Sequence, residues 1–177
     1  EAWSTPRIMR MKINNKDKWV AVFGAGFNNA VSPEYGSAVF IIDMEDGGKV
    51  LKQIDVADKS GNSVINSVPV GIIPIIADGS PLANYHGAMA YFADYEGKLW
   101  KLNLSDQGTL YDIQQLFDSE STGTNGRRVM KDVVASIDTD NKLWFYYGTG
   151  NQQQLQKISP SIQNRLYGLK DEDFPNY

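Results

Sequence analysis

Two carboxylates separated by one residue are the feature of this sequence closest to a metal-binding loop. Asp138 and Asp140 stand in Asp138-Thr139-Asp140-Asn141, a spacing that opens many calcium loops. No glycine and no closing glutamate follow at the distance that such a loop needs. The same residues separate two apolar strands, where Asp and Asn favour a tight hairpin. A hairpin turn is therefore the favoured interpretation, and Asp138 and Asp140 are kept as candidate metal ligands.

His86 is the only histidine of the chain. A catalytic or zinc-binding role would need partners such as cysteine, a second histidine or a paired carboxylate. The sequence around His86 marks no such partner, and Asn84 and Gly87 beside it are typical of turns. We interpret His86 as a surface or turn residue. No catalytic residue is predicted, and the chain is not expected to be an enzyme.

Two glycine-containing segments have the composition of binding loops. Gly24–Ala30 follows an apolar strand, but it lacks the Lys-Ser/Thr pair of a phosphate-binding loop, and a strand follows it. Glycines that serve a turn or a bulge are the favoured interpretation. Gly123–Arg128 carries two arginines that could dock an acidic partner, and a solvated loop is the default interpretation of that segment.

Composition and charge limit the possible partners. The chain has 177 residues, of which 42% are hydrophobic and 21% charged, enough for one core. Its net charge is −4 and no basic stripe is visible, which argues against nucleic acid as a partner. The longest apolar run, Val68–Ala77, is too short to span a membrane. Cysteine is absent, so the sequence contains no disulfide and no thiolate metal site.

An internal repeat indicates the elements that position these residues. Each unit has a lead segment, an aromatic-rich strand ending in a small residue, and after a loop a strand that begins at Gly or Asn. The lead segments are Trp3–Met9, Asn66–Val70 and Arg128–Val133. The aromatic-rich strands are Trp19–Gly24, Ala88–Asp94 and Lys142–Gly148. The last strands are Gly36–Asp43, Gly97–Asn103 and Asn164–Asp171.

The repeat predicts an all-β fold of about three four-stranded blades of a quinoprotein-like β-propeller. One partial domain over residues 1–177 contains units at about 1–60, 61–125 and 126–177. A fourth strand is predicted at Lys49–Val56 and at Leu110–Phe117, where a short helical turn is the alternative. The third unit ends before such a strand.

Packing between blades is predicted from apolar residues on both sides of the central strands. Val20–Phe23 and Leu143–Tyr147 scarcely alternate, as expected where both faces of a strand are buried. The repeated aromatics are interpreted as contacts between blades: Trp19, Tyr91, Phe92, Trp100, Trp144, Tyr146, Tyr147 and Tyr167. Closed propellers have four to eight blades. We therefore expect either a fragment of a larger propeller or self-association through open blade edges.

Three ordered motifs resemble the propeller of the PilY/PilC family of type IV pilus tip and biogenesis proteins. Trp3–Pro6 followed by Ala21–Asn28 resembles that family's W-S-x-P … V-x-F-G-x-G-Y-N. Gly97–Leu104 resembles G-N-L-W-K-F-D-L. Tyr147–Gly150 with Gln163–Leu169 resembles F-G-T-G … Q-x-x-Y-G-I. The matches follow the family's order and span nearly the whole chain.

The resemblance implies an exported, non-catalytic protein at the cell surface, pilus tip or outer membrane of a bacterium. It implies roles in pilus assembly, adhesion and twitching motility. The implied partners are pilus subunits, other pilus assembly proteins and the host-cell surface. The alternatives are a fragment of a quinoprotein dehydrogenase, which would bind a quinone and calcium at the propeller axis, and an outer-membrane scaffold propeller.

One departure from the family concerns calcium. Family members can carry a loop D-x-D-x-D-G-x-x-D before the G-N-L-W strand, and here that place reads Ile76–Tyr85. Only Asp78 remains of its carboxylates, whereas calcium takes six to eight oxygen ligands. We keep Asp78 as a third candidate metal ligand but do not carry the calcium site over, and no cofactor is predicted.

Overall fold

The computed structural model describes residues 4–27, 35–56, 66–76, 86–119, 127–152 and 162–177. Within these ranges the chain forms eleven β-strands in three antiparallel sheets and no α-helix. The prediction of an all-β fold is confirmed. Each sheet is an open meander, in which strands that follow one another in sequence are neighbours.

The sheets follow one another along the chain. Sheet 1 contains β1 (Arg7–Ile13), β2 (Lys16–Gly24), β3 (Ala38–Asp43) and β4 (Lys49–Asp55). Sheet 2 contains β5 (Ile73–Ile75), β6 (Gly87–Ala93), β7 (Leu99–Ser105) and β8 (Ile113–Phe117). Sheet 3 contains β9 (Val134–Ile137), β10 (Leu143–Gly148) and β11 (Leu166–Asp171).

The turns explain why the strands meet in these registers. Asn14 and Asn15 take positive φ angles of 52° and 61°, which fits the two-residue hairpin that joins β1 to β2. Each sheet also has Asp or Asn near the end of its third strand, and that side chain accepts a hydrogen bond from the backbone N–H two residues later. These residues are Asp43, Asn103 and Asp171. The same local turn therefore ends the third strand of every sheet.

The first strand of each unit begins later than predicted. The sequence placed it at Trp3–Met9, Asn66–Val70 and Arg128–Val133, whereas β1, β5 and β9 begin at Arg7, Ile73 and Val134. The lead segments of the second and third units use backbone groups to bond to neighbouring units instead. Val68 N–H donates to Gly36 O, and Val129 N–H donates to Tyr95 O. Side-chain pattern alone does not distinguish these two uses of an apolar segment.

Other strand predictions are close to the structure. β4 lies within Lys49–Val56, and β8 lies within Leu110–Phe117 after a turn at Leu110 and Tyr111. The prediction of two buried faces is wrong for Leu143–Tyr147, because β10 alternates and Tyr146 is 41% exposed. No part of the described chain covers that side of sheet 3. In contrast, every residue of β6, in the middle sheet, is buried.

One hydrophobic core runs through all three sheets. β1 packs against β6 and β7, which joins sheets 1 and 2. Tyr91 of β6 and Phe145 of β10 join sheets 2 and 3, with ring centroids 4.3 Å apart. Sheet 2 is therefore buried on both faces, while sheets 1 and 3 are each covered on one face.

Candidate functional site: sheet junctions and outer faces

Backbone hydrogen bonds connect each sheet to the segment that leads to the next. Gly26 N–H donates to Val68 O at 3.1 Å, and Val68 N–H donates to Gly36 O at 2.9 Å. Ser67 O also accepts the N–H of Tyr95 at 2.7 Å. The lead segment of the second unit is therefore bonded to sheet 1 and to the turn after β6. It fixes the position of sheet 2 on sheet 1.

The junction of sheets 2 and 3 contains a buried ion pair. Lys101 Nζ lies 2.8 Å from Asp171 Oδ2, and neither side chain is more than 1% exposed. Tyr91 donates its hydroxyl to the same carboxylate oxygen at 2.8 Å. Lys101 also donates to Asn176 O at 2.6 Å. Because both charges have partners, this junction can hold ions that would otherwise be costly to bury.

A second ion pair lies near the same junction. Glu96 is fully buried and pairs with Arg128. The Arg128 guanidinium also lies over the Tyr95 ring, 4.7 Å from its centroid. Arg127 is only 8% exposed and donates to Ser119 O at 2.8 Å. The prediction that these two arginines belong to a solvated loop is therefore wrong, because both pack inside the protein.

Two hairpins contain the same local contact, in which an aspartate accepts a hydrogen bond from the indole N–H of a tryptophan six residues later. Asp94 Oδ1 accepts the N–H of Lys98 at 2.9 Å, and Asp94 Oδ2 accepts Trp100 Nε1–H at 3.0 Å. Asp138 accepts the N–H of Lys142 at 2.9 Å and Trp144 Nε1–H at 2.7 Å. The sequence contains the signal for this contact, because Asp-x-x-x-Lys-Leu-Trp occurs at 94–100 and at 138–144.

The candidate metal ligands Asp138 and Asp140 lie in the β9–β10 hairpin. Both oxygens of Asp138 accept hydrogen bonds from the hairpin itself, including the N–H of Asp140 at 2.9 Å. These bonds hold the pKa of the Asp138 carboxyl below its usual value. Asp78 lies outside the described residues. Within the described ranges, no three His, Cys, Asp or Glu side chains are grouped closely enough to hold a metal ion.

His86 has a carboxylate partner that sequence reasoning missed. Its Nδ1 lies 2.7 Å from Asp106 Oδ1, and Lys12 approaches the other oxygen of Asp106 at 3.8 Å. Burial raises the pKa of Asp106, but hydrogen bonds from Gln107 and His86 more than offset this effect and lower it. His86 borders a cleft of about 520 Å³ that Met89, Ser105 and Tyr177 also line. His86 and Asp106 are twenty residues apart, and no motif links them.

Apolar side chains cover the outer face of sheet 1. The register places these residues on the face opposite to buried Met9, Val20 and Val22. Ile8 is 63% exposed, and the Phe23 and Phe40 rings stack with centroids 5.8 Å apart. We call this set the first outer face: Ile8, Trp19, Phe23, Phe40, Ile42 and Val50.

The outer face of sheet 3 is also apolar. Phe145 and Tyr147 point to sheet 2, so the residues between them in β10 point away from it. Leu166 is 79% exposed, and Trp144 stacks on Tyr146 with an interplanar angle of 14°. We call this set the second outer face: Val134, Trp144, Tyr146 and Leu166.

Comparison of the chain with protein-family models, with curated proteins and with solved structures finds no match. Among the residues that the structure describes, no helix is long and apolar enough to cross a membrane. We therefore infer the function from the geometry of the chain and from the motifs in its sequence.

Asp94 makes the stability of the fold depend on pH. Burial raises the pKa of its carboxyl to about 6, although hydrogen bonds from Trp100 and Asn66 oppose that shift. A folded-state pKa above the unfolded value of about 3.9 gives stability that is present below pH 4 and lost as pH rises through 6. Relative to Asp94→Asn, we expect the wild-type free energy of unfolding to fall by about 2 kcal/mol between pH 4 and pH 6.5.

Urea unfolding of both proteins across this pH range measures the difference. A constant difference between wild type and Asp94→Asn would contradict the raised pKa. If Asp94→Asn does not fold, the carboxyl carbon-13 shift of Asp94 in the wild type reports the same titration. A midpoint near 4 in that titration would also contradict the raised pKa of Asp94.

Proposed function

We propose that the chain is a section of a quinoprotein-like β-propeller that acts as a non-catalytic binding module in type IV pilus biogenesis and tip adhesion. One observation carries the propeller part of this proposal. Every sheet has an aromatic pair in the same cross-strand position of its second and third strands: Phe23 with Phe40, Phe92 with Trp100, and Tyr147 with Tyr167. Aromatic pairs at the same place in successive sheets are expected of radially repeated blades.

Buried charges support a role in binding and assembly over catalysis. Lys101 pairs with Asp171, and Glu96 pairs with Arg128, at contacts that join one unit to the next. These ionisable side chains are used in holding sheets together, whereas a catalytic group must face a substrate. The outer faces of sheets 1 and 3 supply apolar surface of the kind that marks protein contacts.

The pilus part of the proposal rests on the motif resemblance. Ser4 of the first motif accepts the N–H of Gly24, so two halves of that motif are in contact. Trp100 of the second motif and Tyr147 of the third belong to the repeated aromatic pairs. The matching residues therefore build the sheets and their junctions, which is where a shared fold would preserve them. Export to the cell surface, contact with pilus subunits or assembly proteins, and host-cell adhesion follow from the same resemblance.

Deletion of this region in the source organism tests the proposal. We expect fewer surface pili and reduced twitching, with recovery when the wild-type region is restored. Restoration with Ile137→Lys is the matched control, because Ile137 is an exposed apolar residue whose pairing with Leu143 places it on the face opposite to the second outer face. Unchanged piliation and motility would remove the pilus assignment. A bound chromophore after addition of pyrroloquinoline quinone to the purified protein would instead favour the dehydrogenase.

A further inference from the structure

The two outer faces are the two halves of one repeated interface. Val22, Tyr91 and Tyr146 each precede the aromatic residue near the end of the second strand in their sheets. Val22 and Tyr91 point toward the following sheet, and Tyr146 has the corresponding side of sheet 3. Val22 and Tyr91 are at most 1% exposed, whereas Tyr146 is 41% exposed. Sheet 3 therefore presents, without a cover, a position that is buried in sheets 1 and 2.

The same comparison holds for the opposite side of the sheets. Phe92 and Tyr147 point toward the preceding sheet and are 0% and 4% exposed. Phe23 has the equivalent position in sheet 1, where the described residues contain no preceding sheet, and it is only half-buried. Sheet 1 thus presents the half of the interface that complements the second outer face.

We propose that a second copy of this chain covers both outer faces, with sheet 1 of each copy packed on sheet 3 of the other. This inference rests on the β-propeller proposed above. A copy is the occupant because each chain carries both halves of one interface. Two such contacts related by a two-fold axis close a ring of six sheets, within the four to eight of known propellers. End repeats that stay exposed usually carry a polar outer face. These two faces carry the charged residues Arg10 and Lys170 beside the exposed apolar residues Ile8, Trp19, Tyr146 and Leu166.

A mixing experiment with two charged variants tests this arrangement. Ile8→Lys changes the first outer face and Tyr146→Asp changes the second, and both side chains are exposed in the single chain. In a two-fold ring each variant alone damages both contacts, so we expect the dissociation constant to rise at least about a hundredfold. When the two variants are mixed, one contact joins two wild-type faces. Mixing should therefore restore a species of twice the 19.7-kDa chain mass.

Analytical ultracentrifugation of wild type, each variant and the mixture gives the masses, with Ile137→Lys as the control that stays dimeric, because Ile137 is exposed on the face opposite to the second outer face. A wild-type monomer at tens of micromolar, or an open polymer, would overturn the ring. Failure of the mixture to dimerise would overturn the head-to-tail contact. If circular dichroism shows that either variant is unfolded, Trp19→Lys and Leu166→Asp replace them on the same faces. If the purified protein is a dimer but deletion of the region leaves piliation unchanged, this inference stands and only the pilus role is rejected.

Discussion

Replacement of Lys101 by methionine should destabilise the protein by about 3–5 kcal/mol, because it leaves the Asp171 carboxylate buried without a counter-ion. Asp171 is 1% exposed, and among the described residues it would keep only the hydroxyl of Tyr91 and the N–H of Asp173 as donors. The carbonyl of Asn176 would lose its donor as well. An uncompensated charge in the junction of sheets 2 and 3 costs far more than the lost pair contributes in net terms.

A second substitution separates the effect of the unpaired Asp171 charge from the other effects of Lys101→Met. In Lys101→Met/Asp171→Asn the amide keeps an acceptor for the Asp173 N–H, and no net charge remains in the junction. We expect the double variant to be more stable than Lys101→Met alone. Lys170→Met is the control, because Lys170 pairs at 2.7 Å with Glu172, whose side chain is 69% exposed, and such pairs contribute about 1 kcal/mol or less.

Urea unfolding measured by tryptophan fluorescence gives the free energies for the four proteins. The pairing argument would be contradicted if Lys101→Met were no less stable than Lys170→Met. It would also be contradicted if Lys101→Met/Asp171→Asn were less stable than Lys101→Met alone. Either result would mean that the junction tolerates an unpaired carboxylate.

Replacement of Gly24 by alanine should be strongly disruptive, although it adds only a single methyl group. A Cβ atom at Gly24 would lie 2.2 Å from Val68 O and 2.6 Å from Val68 Cγ1. Real Cβ atoms do not approach that closely, so the lead segment of the second unit must move away from sheet 1. Its bond with Gly26 would then be strained or broken. We expect a loss of about 3 kcal/mol, at the upper end of overpacking effects.

Gly148 provides a matched control for this substitution. It ends the aromatic-rich strand of sheet 3 as Gly24 ends that of sheet 1, but within the described part of the chain no atom lies within 4 Å of its added Cβ. Gly148→Ala should change the free energy of unfolding by no more than about 0.5 kcal/mol. Both variants are compared at sub-micromolar concentration, so that association does not contribute. Equal stabilities would show that Gly24 is not in contact with the lead segment of the second unit.

The central strands of all three sheets could be predicted from the sequence because side-chain pattern alone identifies them. The pattern predicts strands at Trp19–Gly24 and Ala88–Asp94, and the bounds of β2 and β6 differ from these by at most three residues and one residue, respectively. Runs of aromatic and β-branched residues bounded by turn residues are typical of β-strands and of few other elements. The hairpin at Asp138 was predictable for the same reason, since its turn and its hydrogen bonds are local.

The ion pairs and the cleft could not be predicted, because their partners are far apart in the chain. Lys101 and Asp171 are seventy residues apart, and Glu96 meets Arg128 only after the third unit has begun. A buried lysine in β7 and a solvated lysine have the same sequence environment. Only the packing of sheet 3 on sheet 2 excludes water from the pair.

The sequence by itself determined an all-β chain with a threefold repeat, because strand periodicity and turn chemistry act over a few residues. Tertiary structure decided which backbone groups join one unit to the next, and which apolar faces are buried and which are open. Phe92 and Phe23 occupy equivalent positions in the repeat, yet only Phe92 is covered by a preceding sheet. Burial depends on what lies against a residue, and in this chain that is set by sheets formed from distant segments. The carboxylates of Asp138 and Asp140, which first suggested metal chemistry, lie in a hairpin whose own N–H groups are the partners of Asp138.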